Sequence, residues 1–251
     1  MKEKIGYFSL LKFSFSSVFS NFLKFIKISS VPFLLCLPVS YLQNYIALQT
    51  SLNKIIGMYI LSTGLFVMPI FFAFLTNWHR YIIFDGKKPW EFKLIEFSNN
   101  TLKFTVAAIL VFVLISIPYT ALLLFSVYLG VQFKSALFMF AIQWGLMFLF
   151  LYLYTKSALI FPIAAAAHKI SLKKTFGLSS LKKTFGLSKG YFWKILGGFL
   201  TFLISSIIIK KIIIASFAIP VYLSPFFLMI DFILLALNAS WLSKIYNDIN
   251  S

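Results

Sequence analysis

The 251-residue chain is 61% hydrophobic and only 12% charged, where ordinary soluble proteins are about one quarter charged. The composition describes a membrane protein and leaves little room for a separate soluble catalytic domain. Lys and Arg number 23 against 6 Asp and Glu, for a net charge of +17. In so apolar a chain this excess serves topology and contact with anionic lipid and implies no nucleic-acid partner. The single cysteine, Cys36, excludes an intrachain disulfide and a cysteine-built metal site.

Residues 1–27 carry Lys at positions 2, 4, 12, 24 and 27 and contain no short apolar core ending in a small-residue cleavage site, so they do not read as a cleavable signal. Ser9, Lys12, Ser16, Ser20, Lys24 and Lys27 recur three or four residues apart, and Phe8, Leu11, Phe15, Phe19, Phe22 and Ile26 do so on another face. This pattern predicts an interfacial helix on the cytoplasmic leaflet, apolar side down and lysines among anionic head groups. The plainer alternative is a flank that only sets topology.

Six apolar stretches follow, near 28–48, 55–76, 104–128, 136–154, 195–215 and 218–239, which predicts an all-α polytopic protein forming one integral membrane domain over 1–251. The fourth stretch continues through "ALIFPIAAAA" to Ala167, too long for one perpendicular helix, so it either tilts or breaks near Pro162. The N-terminal tail, the 77–103 loop, the 156–194 loop and the C-terminal tail hold 5, 5, 8 and 1 basic residues, nineteen against four on the other side. That bias predicts both termini and both long loops in the cytoplasm. Trp78, Trp90, Trp193 and Trp241 fall near the same predicted face, where interfacial rings are expected.

After the second span comes "NWHRYIIFDGKKPW", with Trp78, His79, Arg80, Lys87 and Lys88. Arg80 is the only arginine, and its planar fork grips a phosphate or carboxylate bidentately where an ammonium cannot. These five residues form a candidate site for lipid phosphate or another anion; the competing reading is an interfacial anchor that snorkels beside Trp78 and Tyr81.

The basic 156–194 loop holds "SLKKTFGLS" twice in succession, over 171–188. In one continuous helix nine residues turn through about 900°, which would put the two copies on opposite sides, so the repeat is expected in a surface loop with one or two short interfacial helices. Two copies are too few for a solenoid, and a tolerated duplication competes with a dedicated binding element.

With one copy removed, "AHKISLKKTFGLSKGYFWKILGGFL" leads into the fifth span. Together with the "WHR" element of "NWHRYIIFDGKKPW", it resembles a broad group of six-helix bacterial inner-membrane proteins of unknown function, related to the membrane domain attached to some glycerophosphodiester phosphodiesterases. The resemblance implies a six-helix inner-membrane fold and brings no activity with it, because the phosphodiesterase domain of the longer relatives is not in this sequence.

In the sixth span, "FFLMIDFILLALNAS" places Asp231 where a charge costs about 2.5–3.5 kcal/mol on insertion scales. Ser224 and Asn238 lie seven residues to either side, nearly on one helix face, and Lys210 or Lys211 of the antiparallel fifth span comes within reach. Such a polar stripe serves either a proton or cation path or the packing of the bundle.

Catalytic signatures are absent: the sequence has no HExxH, GxSxG or Walker loop, and an enzyme would need His79 and His168 to converge with Asp85, Glu91 and Glu96. The sequence therefore predicts a non-enzymatic protein without cofactor or metal, a lipid-interacting or scaffold component whose partners are anionic membrane lipids or another membrane protein. The alternative is a small-solute or ion-coupled transporter using Asp231.

Overall fold

The computed structural model describes residues 5–47, 54–85, 99–133, 136–166, 184–216 and 224–250. Side chains are described over 5–41, 67–85, 101–122, 124–125, 140–166, 184–213 and 225–250. All regular structure among the described residues is helical, in a short helical segment at 184–188 and eight helices: α1 (Tyr7–Phe19), α2 (Phe22–Ala47), α3 (Lys54–Ile83), α4 (Asn99–Phe133), α5 (Ala136–Ser157), α6 (Ile160–Ala166), α7 (Phe192–Ser216) and α8 (Ser224–Asn250). Stretches in five places are long and apolar enough to cross a membrane: Phe22–Tyr41, Thr101–Leu122, Phe140–Ala166, Phe192–Ile213 and Pro225–Asn250. The expected 55–76 span lies within α3, whose side chains are described from Val67 onward. The protein is an all-α polytopic membrane protein.

Proline does not stop these helices. Pro32 and Pro38 sit inside α2, Pro69 inside α3 and Pro118 inside α4, because in lipid the alternative to helix is an unsatisfied backbone. Pro162 behaves differently. The long fourth stretch breaks between α5 and α6, at Ala158 and Leu159, and the amide of Phe161 turns tightly back to the Ala158 carbonyl at 3.3 Å. Pro162 thereby falls in the first turn of α6, where its missing N–H leaves no bond unmade.

The predicted 1–27 helix is two helices. It ends at Phe19, a corner forms at Ser20 and Asn21, and residues 22–27 open α2. Asn21 holds the corner: its amide donates to the Ser17 carbonyl at 3.2 Å, and its oxygen accepts from the Tyr81 hydroxyl at 3.0 Å. A side chain that satisfies one of the last carbonyls of α1 while reaching α3 fixes where the chain turns into the bundle.

Helix α8 is the hub, packed against α1, α2, α3, α6 and α7. Its buried face carries Ala236, Ala239, Ser240 and Ser243. Small residues at this spacing let neighbouring backbones approach closely, the main source of helix association where lipid is as apolar as leucine. Into the space come large rings from other helices: Phe25 of α2, Phe74 and Trp78 of α3, and Phe232 of α8 itself, all fully buried. Phe74 and Phe232 meet edge to face at 4.8 Å, as do Phe25 and Trp78 at 5.7 Å. A second, smaller core of Ala107, Val111, Ile115, Ile160 and Ala164 joins α4 to α6.

Helix α8, the expected sixth span, extends well past 239, so Trp241, Lys244 and Ile245 belong to the bundle and not to a tail. The end of the second repeat copy is also more than loop. Residues 184–188 are helical, Thr184 and Ser188 are buried, and Leu187 packs against the main core. The first copy lies outside the described residues.

Candidate functional site

Among the described residues, polar side chains come together in several places, three of which bear on function. The first is the seam between α3 and α8. Trp78 is 0% exposed and its indole nitrogen donates to the Ser240 hydroxyl at 2.8 Å. His79 is also buried, with Nδ1 and the Ser243 hydroxyl 2.7 Å apart. The expected lipid-binding cluster is therefore corrected: two of its members face the protein interior, because the small residues of α8 admit their rings. Arg80 is half-buried and engaged in a polar or ring contact of its own. Lys87 and Lys88 lie outside the described residues. Trp241 is buried as well, its indole nitrogen donating to the Lys194 carbonyl at 3.1 Å, so among the described tryptophans of the predicted interfacial belt only Trp193 is exposed.

A cavity of about 140 Å³ opens beside this seam, with His79, Tyr154 and Asn238 as its polar members among Phe72, Phe104 and Phe161. The Asn238 amide and the Tyr154 hydroxyl are 3.5 Å apart, a long contact at the limit of a hydrogen bond. Asn238 thus reaches toward Tyr154 of α5.

The second place is the ion pair. The Lys210 ammonium lies 2.6 Å from the Asp231 carboxylate, and the two side chains are 32% and 39% exposed. The expected approach of a lysine from the antiparallel helix is realised by Lys210. Lys211 is exposed on another side of α7. The Ser224 side chain lies outside the described ones, so the stripe is seen as two separate contacts, Asp231 to α7 and Asn238 to α5.

The third place was legible only in part: the docking of α1. The Tyr7 hydroxyl lies 2.5 Å from Thr201 Oγ1, and Lys194 donates to the Ile5 carbonyl at 2.5 Å. The Tyr7 ring meets Trp241 edge-on at 5.0 Å and crosses Gly197, where a Cβ would come within 2.9 Å of it. Further along, Lys244 of α8 lies 5.1 Å from the centre of the Phe13 ring, and Asn21 reaches α3. Helix α1 therefore lies across the bundle, from the start of α7 over α8 to the end of α3. It docks through Leu10, Ser14, Ser17 and Val18, with Ser14 and Ser17 returning their hydroxyls to their own helix. Phe8, Lys12, Phe15, Ser16 and Phe19 of the same helix stay exposed. The period that predicts an amphipathic helix does not distinguish a lipid-facing side from a protein-facing one. The serines at 14 and 17, small enough for close packing, were the available signal.

Near the start of α7, Tyr191 donates to the Asp248 carboxylate at 2.5 Å, and burial followed by that hydrogen bond pushes its phenol up to about 12. This contact ties the loop end of α7 to the last turn of α8. Among the described residues no group of three His, Cys, Asp or Glu side chains is arranged to hold a metal ion. His168, Glu91 and Glu96 lie outside them, while His79 of α3 is buried against Ser243 of α8 and Asp85 is exposed just past the end of α3.

Compared with protein-family models, curated proteins and solved structures, the chain matches none. The fold and these contacts define its class, a polytopic helical membrane protein with a transverse helix fastened across one end of its bundle.

Proposed function

We propose that the protein is a non-enzymatic multi-pass component of the bacterial inner membrane that binds anionic phospholipid at its cytoplasmic face, where the predicted topology puts both termini and the basic loops. The observation that carries this reading is α1. It is anchored to α7, α8 and α3 by buried contacts, yet leaves Phe8 81% and Phe19 52% exposed beside an exposed Lys12. Across the corner, Leu23 and Lys24 are exposed too. Apolar rings beside ammonium groups, on a helix lying across one end of a bundle, suit the boundary between acyl chains and anionic head groups.

The transporter reading rests on Asp231, and the Lys210 pair weighs against it by giving that carboxylate a resident counter-charge. Native mass spectrometry of the gently purified protein tests the choice. Retained phosphatidylglycerol at about one equivalent is expected. Bare protein, together with a solute flux that Asp231→Asn abolishes, would replace this reading with the carrier.

A further inference from the structure

Beneath α1, between α7 and α8, runs an apolar groove of about 270 Å³. Phe15 and Phe19 roof it, Phe202 and Ile209 form one wall, and Ile233 and Leu237 form the other. Among the described residues no charged side chain lines it, and the one hydroxyl in its lining is that of Ser205. The roof rings and Ile209 are all partly exposed, so the groove communicates with the surroundings of the bundle.

We infer that this groove holds one acyl chain of a phospholipid whose phosphate sits at Lys12, which is an inference resting on the lipid-binding reading above. Lys12, Phe15 and Phe19 follow one another at helical spacings of three and four, so the ammonium shares a face with the roof rings, about one turn from Phe15 and about two from Phe19. A lipid on the open belt of the protein touches it on one side. A chain in the groove is enclosed by α1, α7 and α8, so it loses more contact when it leaves. The size, just below that of ligand pockets of about 300–1,000 Å³, suits part of a single chain. The lining offers hydrocarbon and one hydroxyl, with nothing to recognise a polar solute. A second copy of this chain is disfavoured as occupant, because it would bring a net charge of +17 toward exposed Lys12 and Lys24. An anionic lipid brings the opposite charge.

The test uses the full chain in detergent, titrated with phosphatidylglycerol and with phosphatidylcholine and followed by native mass spectrometry. Wild type is expected to take up one tightly held phosphatidylglycerol. Ser205→Phe, which fills the groove, is expected to weaken uptake about tenfold for both lipids. Lys12→Gln, an exposed position outside the core, is expected to lower the preference for phosphatidylglycerol over phosphatidylcholine about fivefold, the effect of one lysine near an anionic surface. Because Lys12→Gln leaves the packing intact, it decides the matter even if Ser205→Phe misfolds. Lipid retained by wild type and held equally by both variants would overturn the groove assignment while leaving the lipid-binding reading in place. A wild type that carries no lipid at all would overturn both, and a dimer that excludes lipid would give the groove to a second copy.

Discussion

Helices α7 and α8 form one hairpin and are almost equally hydrophobic, yet 50% of the apolar window of α8 is buried in the protein and only 17% of that of α7. The difference lies in side-chain size. The inner face of α8 is built from Ala236, Ala239, Ser240 and Ser243, against which five neighbours pack. The corresponding length of α7 presents Ile204, Ile207, Ile208 and Ile212 outward. Hydropathy says that both segments leave water. Which of them becomes the centre of the bundle is decided by where small residues let backbones approach.

Breaking the hub should therefore have the largest effect. Trp78→Ala removes a fully buried ring and leaves Ser240 without its donor, and it should destabilise the protein by about 3–5 kcal/mol. Reversible unfolding in mixed micelles measures this, and a loss below about 1 kcal/mol would contradict α8 as the hub. Gly198→Ala comes next. Its Cβ would lie 2.6 Å from the Trp241 indole, which is held in place by its bond to the Lys194 carbonyl and by the rings of Tyr7 and Phe202. The indole has nowhere to move, so the same assay should show a loss of about 1–3 kcal/mol. If Gly198→Ala unfolds like wild type, the close approach of α7 to α8 at this level is wrong.

The contrast between hub and belt explains what the sequence could and could not reveal. Apolar runs marked the spanning segments because insertion depends on summed hydropathy, and Asp231 with a lysine partner was foreseeable because an isolated charge in lipid is costly. The identity of that lysine was not, since Lys210 and Lys211 differ by 100° around α7 and only the crossing of the helices selects between them. Trp78 and His79 were misread for a related reason. Aromatic residues at a span's end suit the interface by composition, and their burial depends on the stripe of alanine and serine on α8, whose Ser240 and Ser243 lie 162 and 164 residues after Trp78 and His79. The break before Pro162 was one of two readable outcomes. It is realised at Ala158 and Leu159, four and three residues ahead of the ring, where an α-helical bond would have required the missing N–H.

The ion pair allows a sharper test of the α7–α8 contact at intermediate cost. Lys210→Met and Asp231→Asn, singly and together, form a cycle whose coupling should be about 1 kcal/mol, within the range of polar contacts between membrane helices. Additive single effects would mean that the two groups do not meet in the folded protein.

The smallest expected effect is the most informative about the belt. On α5, Phe140, Trp144 and Phe148 form an exposed row, with Trp144 edge-on to Phe140 at a ring distance of 5.8 Å, tilted against Phe148 at 6.2 Å, and 45% exposed. Trp144→Leu should change stability by less than about 0.5 kcal/mol, since lipid chains solvate either side chain and no buried partner is lost. Trp78→Leu in the same assay should cost several times more, because leucine neither fills the space over Ala236 and Ser240 nor donates a hydrogen bond. The two substitutions are chemically identical, and only the neighbouring helix distinguishes them. A large loss at Trp144 would show that the α5 row meets protein in the membrane, turning an apparent lipid face into an interface with a further helix.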